Sequence, residues 1–170
     1  MRLQKLGIPF VEHAYDHDPR AESYGMEAAT ALGLDPARVF KTLMTEVDTK
    51  PAVAIVPVTG SLDLKALAAA AGGKRARMME VSAAERLTGY VVGGISPIGQ
   101  RTTSATYIDS SALDFETVYV SGGRRGLDLE LAPGDLVAVT SAAGAPIRDR
   151  KSTRLNSSHA NISYAVFCLK

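Results

Sequence analysis

Hydrophobic and polar positions alternate most clearly in the second half of the chain. In Leu127–Leu131 the three leucines fall on one face of a predicted strand, and Asp128 and Glu130 fall on the opposite face. Two further apolar runs also predict strands, at residues 105–108 and 117–121. Because short connections rather than helices join these strands, antiparallel or mixed pairing is favoured.

The first half of the chain mixes predicted strands with short helices. The strands are an edge strand from Ile8 to His13 and buried runs at 39–44 and 52–56. Four short helices are predicted. The first ends at Gly7, the second spans residues 28–32 and ends at Gly33, and the third spans residues 63–71 and precedes a pair of glycines. The fourth begins with a Ser82-x-x-Glu85 capping box and ends at Gly89. The whole pattern predicts an α/β (α+β) fold. We expect a mixed, largely antiparallel sheet curled into a barrel-like core, with short helices around it.

A glycine-rich loop follows the last of these helices. The apolar run Tyr90–Val92 predicts a buried strand that leads into Gly93-Gly94, Ser96-Pro97 and Gly99. Such a loop either turns the chain or offers amide N–H groups to an oxyanion, a carbonyl or a phosphate. It does not support nucleotide hydrolysis, because Gln100-Arg101 stands where a phosphate loop requires Lys-Ser/Thr.

Residues 149–170 differ from the rest of the sequence. They resemble the in-frame translation of a common sequencing-library adapter, so we predict one domain over residues 1–148 and a non-native tail over 149–170. A natural tail with an apolar strand at 162–169 is the alternative. The tail holds four of the 19 Lys/Arg and one of the 18 Asp/Glu, so the formal charge without it changes from +1 to −2.

The corrected composition excludes several classes of protein. A charge near zero argues against a stand-alone, high-affinity nucleic-acid binder, and we expect neither DNA nor a membrane as a partner. The single cysteine, Cys168, lies in the tail, which leaves no disulfide, thiolate nucleophile or Cys-based zinc site. No signal peptide or membrane-spanning run is seen, so a cytoplasmic protein is expected. The sequence offers no catalytic triad, in which a nucleophile is paired with a general base and a third residue orients that base. An enzyme with this sequence must therefore act by positioning its substrate and by donating hydrogen bonds to it.

Five polar residues are candidates for a functional site. If residues 13–17 are extended, His13, Tyr15 and His17 share a face, either as part of a metal site or, as we favour, as a solvated edge. Lys41 in its apolar strand either extends to solvent or holds a ligand carbonyl or phosphate. Asp128 either faces solvent or lines a pocket, where an ammonium group would be its natural partner.

Together these segments resemble the Cys-tRNA(Pro) deacylase family, the YbaK/EbsC-type trans-editing proteins. The resemblance is carried, in family order, by residues 13–18, 39–43, 60–65, 87–100 and 119–128. The Gly93-x-x-x-Pro97 pattern is shared with the editing domain inserted in prolyl-tRNA synthetases. The resemblance implies a barrel-like mixed sheet and an aminoacyl-tRNA deacylase that removes cysteine from mischarged Cys-tRNA(Pro), usually in complex with prolyl-tRNA synthetase.

The family's reaction is substrate-assisted and implies no cofactor and no metal. The substrate's own thiol attacks its ester carbonyl and releases tRNA and a cyclic cysteine thioester. The resemblance implies that Lys41 holds the substrate near the ester, that Tyr15 and Asp128 orient the aminoacyl group, and that Gly93-Gly94 approaches the carbonyl and the terminal ribose. The remaining substrate-binding positions that it implies are Tyr24, Thr42, Ser96 and Pro97.

The sequence departs from the family at Arg101–Ala105. The family tends to carry a run of basic residues and a Leu-Pro in this segment. This sequence lacks them, so positive charge and rigidity are lost where tRNA would lie, and the resemblance does not extend to the strength of tRNA binding. Two alternatives to cysteine editing remain: a non-catalytic module that binds tRNA or synthetase, and the editing of another small amino acid.

Overall fold

The computed structural model describes residues 2–21 and 23–149. The helices described are α1 (Arg2–Lys5), α2 (Tyr24–Leu32), α3 (Leu64–Ala70), α4 (Val81–Thr88) and α5 (Pro133–Thr140), with 3-10 turns at Pro36–Arg38 and Ser110–Asp114. The strands are β1 (Val11–Ala14), β2 (Phe40–Val47), β3 (Lys50–Pro57), β4 (Ser61–Leu62), β5 (Ala76–Met78), β6 (Ala105–Asp109), β7 (Val118–Ser121), β8 (Leu127–Leu131), β9 (Ala143–Ala145) and β10 (Arg148–Asp149). The predicted mixture of strands and short helices is confirmed.

The larger sheet has five strands in the order β5-β2-β3-β6-β9. β2 and β3 form an antiparallel hairpin along their whole length, whereas β3–β6 and β6–β9 are parallel pairs. Residues 52–56 of β3 are all buried, with one apolar cluster on each side of the sheet. A strand covered on both faces reads as a continuous apolar run, which explains why the sequence predicted it without alternation.

The smaller sheet has the antiparallel order β1-β8-β7 and carries the alternation noted in the sequence. Leu127, Leu129 and Leu131 are buried on its core side, as predicted. An isolated parallel bridge between Val39 and Tyr119 joins this sheet to β2, and β4 pairs separately with β10. No sheet in the described part of the chain closes on itself, so the barrel-like closure stays a prediction.

Local capping signals fix several helix ends, but the capping box predicted from the sequence is not one of them. Ser23 accepts from the Met26 N–H at the start of α2, and Gly33 ends that helix with φ 66°. The predicted capping box of Ser82 and Glu85 is wrong, because α4 already begins at Val81 and Ser82 lies inside it. The Glu85 carboxylate instead accepts from the Val92 N–H at 2.9 Å, beyond the end of the helix.

The predicted strand at Tyr90–Val92 is also wrong, because these residues belong to the loop between α4 and β6. Side chains hold both backbone polar groups of Val92: Glu85 accepts from its N–H, and Arg125 Nε donates to its carbonyl at 2.8 Å. No group of Val92 remains for a strand ladder. Val91, which a buried strand would have covered, is 54% exposed.

Two smaller differences concern the ends of the chain. The edge strand predicted from Ile8 begins only at Val11. Asp149, the first residue of the predicted tail, belongs to β10 and pairs with Ser61 of β4. The rest of that tail, residues 150–170, lies outside the described residues. Among the residues that are described, no helix is long and apolar enough to cross a bilayer.

A buried leucine of β8 and an exposed leucine outside it make an informative pair of substitutions. Leu129→Ala should lower the free energy of unfolding by about 3 kcal/mol, because it leaves a cavity in the larger apolar cluster. Leu113→Ala, at a side chain that is 55% exposed, should change it by less than about 0.5 kcal/mol. Urea denaturation measures both, and equal losses would contradict the assignment of Leu129 to the core.

Candidate active site

A cavity of about 120 Å³ lies where the two sheets separate along β2. β5 pairs with β2 only from Thr45 to Val47, and the bridge at Val39 joins β2 to the smaller sheet. Between these points, residues 40–44 have β3 as their only strand partner among the described residues, and all five line the cavity. Its volume is comparable with that of an engineered cavity of about 150 Å³ that holds benzene. A small aminoacyl group is therefore a suitable occupant.

The lining is mostly apolar, with a small set of polar groups. The polar residues among those that line it are Tyr15, Ser23, Tyr24, Lys41, Thr42, Ser121 and Asp128. Three methionines, Met44, Met78 and Met79, contribute to the apolar part. Methionine side chains are polarisable and adaptable, so they suit a compact sulfur-containing or aliphatic group. A few polar groups in an apolar pocket are typical of a small-molecule site.

The structure brings together six of the nine site residues predicted from the sequence: Tyr15, Tyr24, Lys41, Thr42, Gly93 and Asp128. Gly94, Ser96 and Pro97 do not line the cavity. The Ser96 hydroxyl accepts from the Ile98 N–H, and its carbonyl accepts from Gln100 Nε2 at 3.0 Å. Ser96 therefore holds the glycine loop in shape. A role for these three residues in substrate binding stays a prediction.

Asp128 enters the cavity because β8 alternates. It lies opposite the core-facing leucines, between its cross-strand partners His13 and Ser121, and is 6% exposed. Burial raises the pKa of Asp128 to about 7, although the charge of His13 opposes this shift. A carboxyl group in this state ionises readily when a ligand brings an ammonium group close to it.

Tyr15 follows β1 directly and approaches the loop before β8. Its N–H donates to the Gly126 carbonyl at 2.9 Å, and a side chain at Gly126, whose φ is 86°, would lie 2.7 Å from the Tyr15 carbonyl oxygen. Only glycine allows this contact. Burial, and secondly the charge of Asp128, raise the pKa of the Tyr15 phenol to about 12. The phenol therefore remains a hydrogen-bond donor at neutral pH.

Lys41 and Thr42 are consecutive half-buried residues of β2. Thr42 Oγ1 is buried and has no hydrogen-bond partner among the described residues. A buried hydroxyl without a partner costs about 1–3 kcal/mol, so a ligand that bonds to it recovers part of that cost. Lys41 places a cation in the lining of the same cavity.

The glycine loop approaches its neighbours too closely for side chains. A Cβ at Gly93, whose φ is 91°, would lie 2.8 Å from the Tyr24 ring and 2.9 Å from Arg125 Nε. A Cβ at Gly94 would lie 2.7 Å from the Arg124 backbone. The Arg125 guanidinium lies 5.0 Å from the centre of the Tyr24 ring and binds the Val92 carbonyl. Tyr24 and Arg125 together therefore hold the Gly93 wall of the cavity.

Sequence reasoning missed Arg125 as part of this arrangement, together with Ser121 and the methionines. The only signal was the glycine-rich segment 121–126, in which an arginine stands beside a left-handed glycine. Nothing in that segment indicates that Arg125 bonds to Val92, 33 residues earlier in the chain.

His13 and His17, the two histidines in the described part of the chain, support the site from outside the cavity. His13 Nε2 lies 2.9 Å from Glu130 Oε1, and its ring packs edge-on against Tyr119. His17 Nδ1 lies 2.9 Å from Glu27, and its ring contacts Tyr24. Each histidine is thus paired with a glutamate, and the described residues contain no group of three or more metal-ligand side chains.

Comparison with known proteins gives a family match and several relatives. Residues 18–139 match the model of the aminoacyl-tRNA editing domain family. EbsC of Enterococcus faecalis, whose name proposes a Cys-tRNA(Pro)/Cys-tRNA(Cys) deacylase, is 38% identical over 154 residues, 88% of this chain and 91% of EbsC.

Solved structures agree with the fold. A crystal structure described provisionally as a trans-editing enzyme for prolyl tRNA synthetase has a TM-score of 0.76 at 25% identity, covering 86% of this chain and 92% of its own. The hypothetical protein APE2540 gives 0.78 at 25% identity, with 87% and 97% covered. Lys41, Thr42, Gly93 and Asp128 fall within the family match, and Tyr15 precedes it.

The raised pKa of Asp128 predicts a pH-dependent effect of Asp128→Asn on stability. The folded protein favours the protonated carboxyl, so the contribution of Asp128 to the stability of the wild type falls as pH rises from about 4 to about 7. The asparagine cannot ionise, so the stability of the variant relative to the wild type should increase over that range and stay constant above it. Denaturation at a series of pH values measures the difference.

Glu130→Gln is the matched control on the same strand and face. A hydrogen bond from Thr117 first, and then the contact with His13, lower the pKa of Glu130. Its carboxylate therefore stabilises the fold above its ordinary pKa of 4.5, and the variant should lose stability relative to the wild type as pH rises toward that value and should show a constant difference above it. The same direction of change for both variants would contradict the assignment for Asp128.

A second prediction concerns the Gly93 wall. Arg125→Lys should lower the free energy of unfolding by about 1–2 kcal/mol, because lysine has no planar group to stack on Tyr24 and its single nitrogen cannot keep that contact and the hydrogen bond to the Val92 carbonyl at once. Amide hydrogen exchange at Gly93 and Gly94 should also become faster. Arg124→Lys keeps the backbone contact with Gly94 and should change neither quantity. Equal effects of the two substitutions would show that Arg125 does not hold the loop.

Proposed function

The chain belongs to the aminoacyl-tRNA editing domain family, and we propose that it is a deacylase that removes cysteine from mischarged Cys-tRNA(Pro). The observation that carries this proposal is the convergence of Lys41, Tyr15, Thr42 and Asp128 on one small cavity bounded by Gly93. The reaction protects the fidelity of translation.

The cavity favours attack by the substrate rather than by the protein. Among the described residues its lining contains no histidine or cysteine, so neither Ser23 nor Ser121 has a histidine base in that lining. In the proposed reaction the cysteinyl thiol, after losing its proton, attacks the carbonyl carbon of its own ester. A C–S bond forms, the ester C–O bond breaks, and the ribose oxygen of the tRNA leaves and takes up a proton. The protein contributes by holding the reacting atoms in place and by excluding water.

Each polar lining residue then has a distinct role. The Asp128 carboxylate binds the α-ammonium group, and the Tyr15 phenol donates a hydrogen bond to the aminoacyl group. Lys41 holds the ester and stabilises the negative charge that develops on its carbonyl oxygen. Gly93 lets the loop backbone approach the terminal ribose, and the methionine-rich lining receives the thiol-bearing carbon.

We assign aminoacyl-tRNA as the substrate and prolyl-tRNA synthetase as the associated partner, on the similarity to the trans-editing structure. An association with the synthetase places editing close to the site of mischarging. The proposed location is the cytoplasm, where tRNA is charged.

Editing of another small amino acid is the second candidate. As far as the chain is described, the apolar part of the lining contains no group that distinguishes a thiol from a methyl or ethyl group by hydrogen bonding alone. A difference of one methylene in an apolar pocket discriminates by only about 1–3 kcal/mol. Selectivity for cysteine would then depend on the reactivity of the thiol rather than on its fit.

The test of function is release of cysteine from Cys-tRNA(Pro), measured with and without prolyl-tRNA synthetase. Lys41→Ala should lower kcat/KM by about 100-fold or more, because it removes a charge aimed at the developing oxyanion. Lys50→Ala, at the exposed start of β3, is the matched control and should retain the wild-type rate. Absence of release under both conditions would rule out the function and leave a non-catalytic binding module. Equal rates for the two variants would rule out the role of Lys41.

The source of the nucleophile is tested with tRNA carrying S-methylcysteine. This ester should resist release, because its sulfur cannot form the cyclic thioester, whereas Cys-tRNA(Pro) is cleaved. Ala-tRNA(Pro) is the small apolar comparison. Comparable release from all three would show that water is the nucleophile and would favour the second candidate.

A further inference from the structure

Three exposed arginines surround the glycine loop outside the cavity: Arg101, Arg124 and Arg125. None of them forms an ion pair with an acidic residue in the described part of the chain. A Cβ built on Gly89 would lie 3.5 Å from Arg101 Nε, which places Arg101 at the start of the loop. Arg124 and Arg125 lie against its Gly93-Gly94 segment.

Tyr90 lies between these arginines. Its hydroxyl donates to the Ile98 carbonyl at 2.6 Å, and its ring would lie 3.0 Å from a Cβ at Gly123, next to Arg124. Val91, which follows it, is 54% exposed. Arg101, Tyr90, Val91, Arg124 and Arg125 therefore form one continuous surface, called here the arginine rim.

The arginine rim continues the wall of the cavity. Gly93 lines the cavity, and a Cβ on it would lie 2.9 Å from Nε of Arg125, which is not itself a lining residue. An aminoacyl ester held in the cavity is attached to the terminal ribose of its tRNA. The first phosphate of the polynucleotide is attached to that same ribose, so it must lie within one nucleotide of the cavity entrance.

Two other arginines near the cavity lie close to carboxylates. Arg77 adjoins the lining residue Met78, but it pairs with Glu46 at 2.7 Å. Arg38 bonds to Thr117 and lies 3.6 Å from a Glu130 oxygen. The arginine rim differs in that its guanidinium groups meet no carboxylate among the described residues, and it therefore attracts an anionic chain more strongly.

On these grounds we propose that the arginine rim binds the phosphates of the single-stranded 3′ end of the aminoacyl-tRNA, with Val91 and Tyr90 available to its bases. Single strands are bound in this way, by cations along the backbone and by apolar or aromatic surfaces against the bases. The inference rests on the proposed function. It also assigns a role to Arg101, which retains a positive charge in the segment where this sequence departs from its family.

The test compares two substrates of the full-length protein: Cys-tRNA(Pro) and 2′(3′)-O-cysteinyl adenosine, which has the ester but no phosphate. The double variant Arg101→Ala/Arg124→Ala should raise KM for the tRNA by about tenfold or more and leave kcat nearly unchanged. The log–log slope of tRNA affinity against salt concentration should become shallower by about 0.7 for each phosphate that the variant no longer neutralises. Kinetics on the adenosine ester should not change.

Two further variants serve as controls. Arg101→Lys/Arg124→Lys keeps both charges and should retain most of the affinity for tRNA and the salt slope. Arg77→Ala removes a paired arginine on the β5 side of the cavity and should leave both substrates unaffected within about twofold.

Several outcomes would overturn the proposal. Equal losses on both substrates would show that the arginines act on the cavity and not on phosphates. If Arg77→Ala raised KM for Cys-tRNA(Pro) more than the alanine double variant does, the single-stranded end of the tRNA would instead lie over β5. A loss seen only in the presence of prolyl-tRNA synthetase would assign the rim to the synthetase.

Binding of a labelled single-stranded RNA ending in CCA separates this inference from the proposed function. If the wild type cleaves neither substrate, the deacylase function fails. Weaker binding of the RNA by the alanine double variant than by the wild type would still support the arginine rim, whereas equal binding would overturn it.

Discussion

The cavity depends on the close approach of a glycine loop to an aromatic ring and an arginine. At Gly93 and Gly94 the backbone comes so near to Tyr24, Arg125 and the Arg124 backbone that no Cβ fits. The loop is not held by a sheet ladder. Glu85 from α4 and Arg125 from the loop before β8 hold the two backbone groups of Val92. Segments that are distant in sequence are therefore fixed relative to one another before any ligand binds, which lowers the entropic cost of binding.

The electrostatics of the cavity suit a reaction that needs no protein nucleophile. A buried carboxyl with a pKa near neutrality, a phenol that stays protonated and a hydroxyl without a partner each prefer a ligand that completes their hydrogen bonds. An aminoacyl ester offers an ammonium group, a carbonyl and ribose oxygens. The free energy recovered from these polar groups is available to orient the substrate, which is the main contribution that the site can make to the rate.

Local patterns predicted the parts of the structure that depend on local forces. The alternation of β8, the buried run of β3 and the glycine ends of α2 and α4 were all correct, because each depends on burial or on one residue's conformational freedom. The strand expected at Tyr90–Val92 was wrong because the partners of Val92 come from 7 residues before it and 33 residues after it. Six cavity residues could be named because the family motifs preserve their order, whereas Arg125 acts through a contact that no short pattern encodes.

The connection between β7 and β8 has a further consequence for how this chain can vary in length. The five residues 122–126 join Ser121 to Leu127, and the register of β8 against both its neighbours starts there. Surface loops generally accept insertions and deletions. Loss or gain of one residue here, if the pairing were kept, would turn Asp128 toward the apolar core and a leucine toward the cavity. Evolution can therefore change the residues of this loop far more readily than it can change their number.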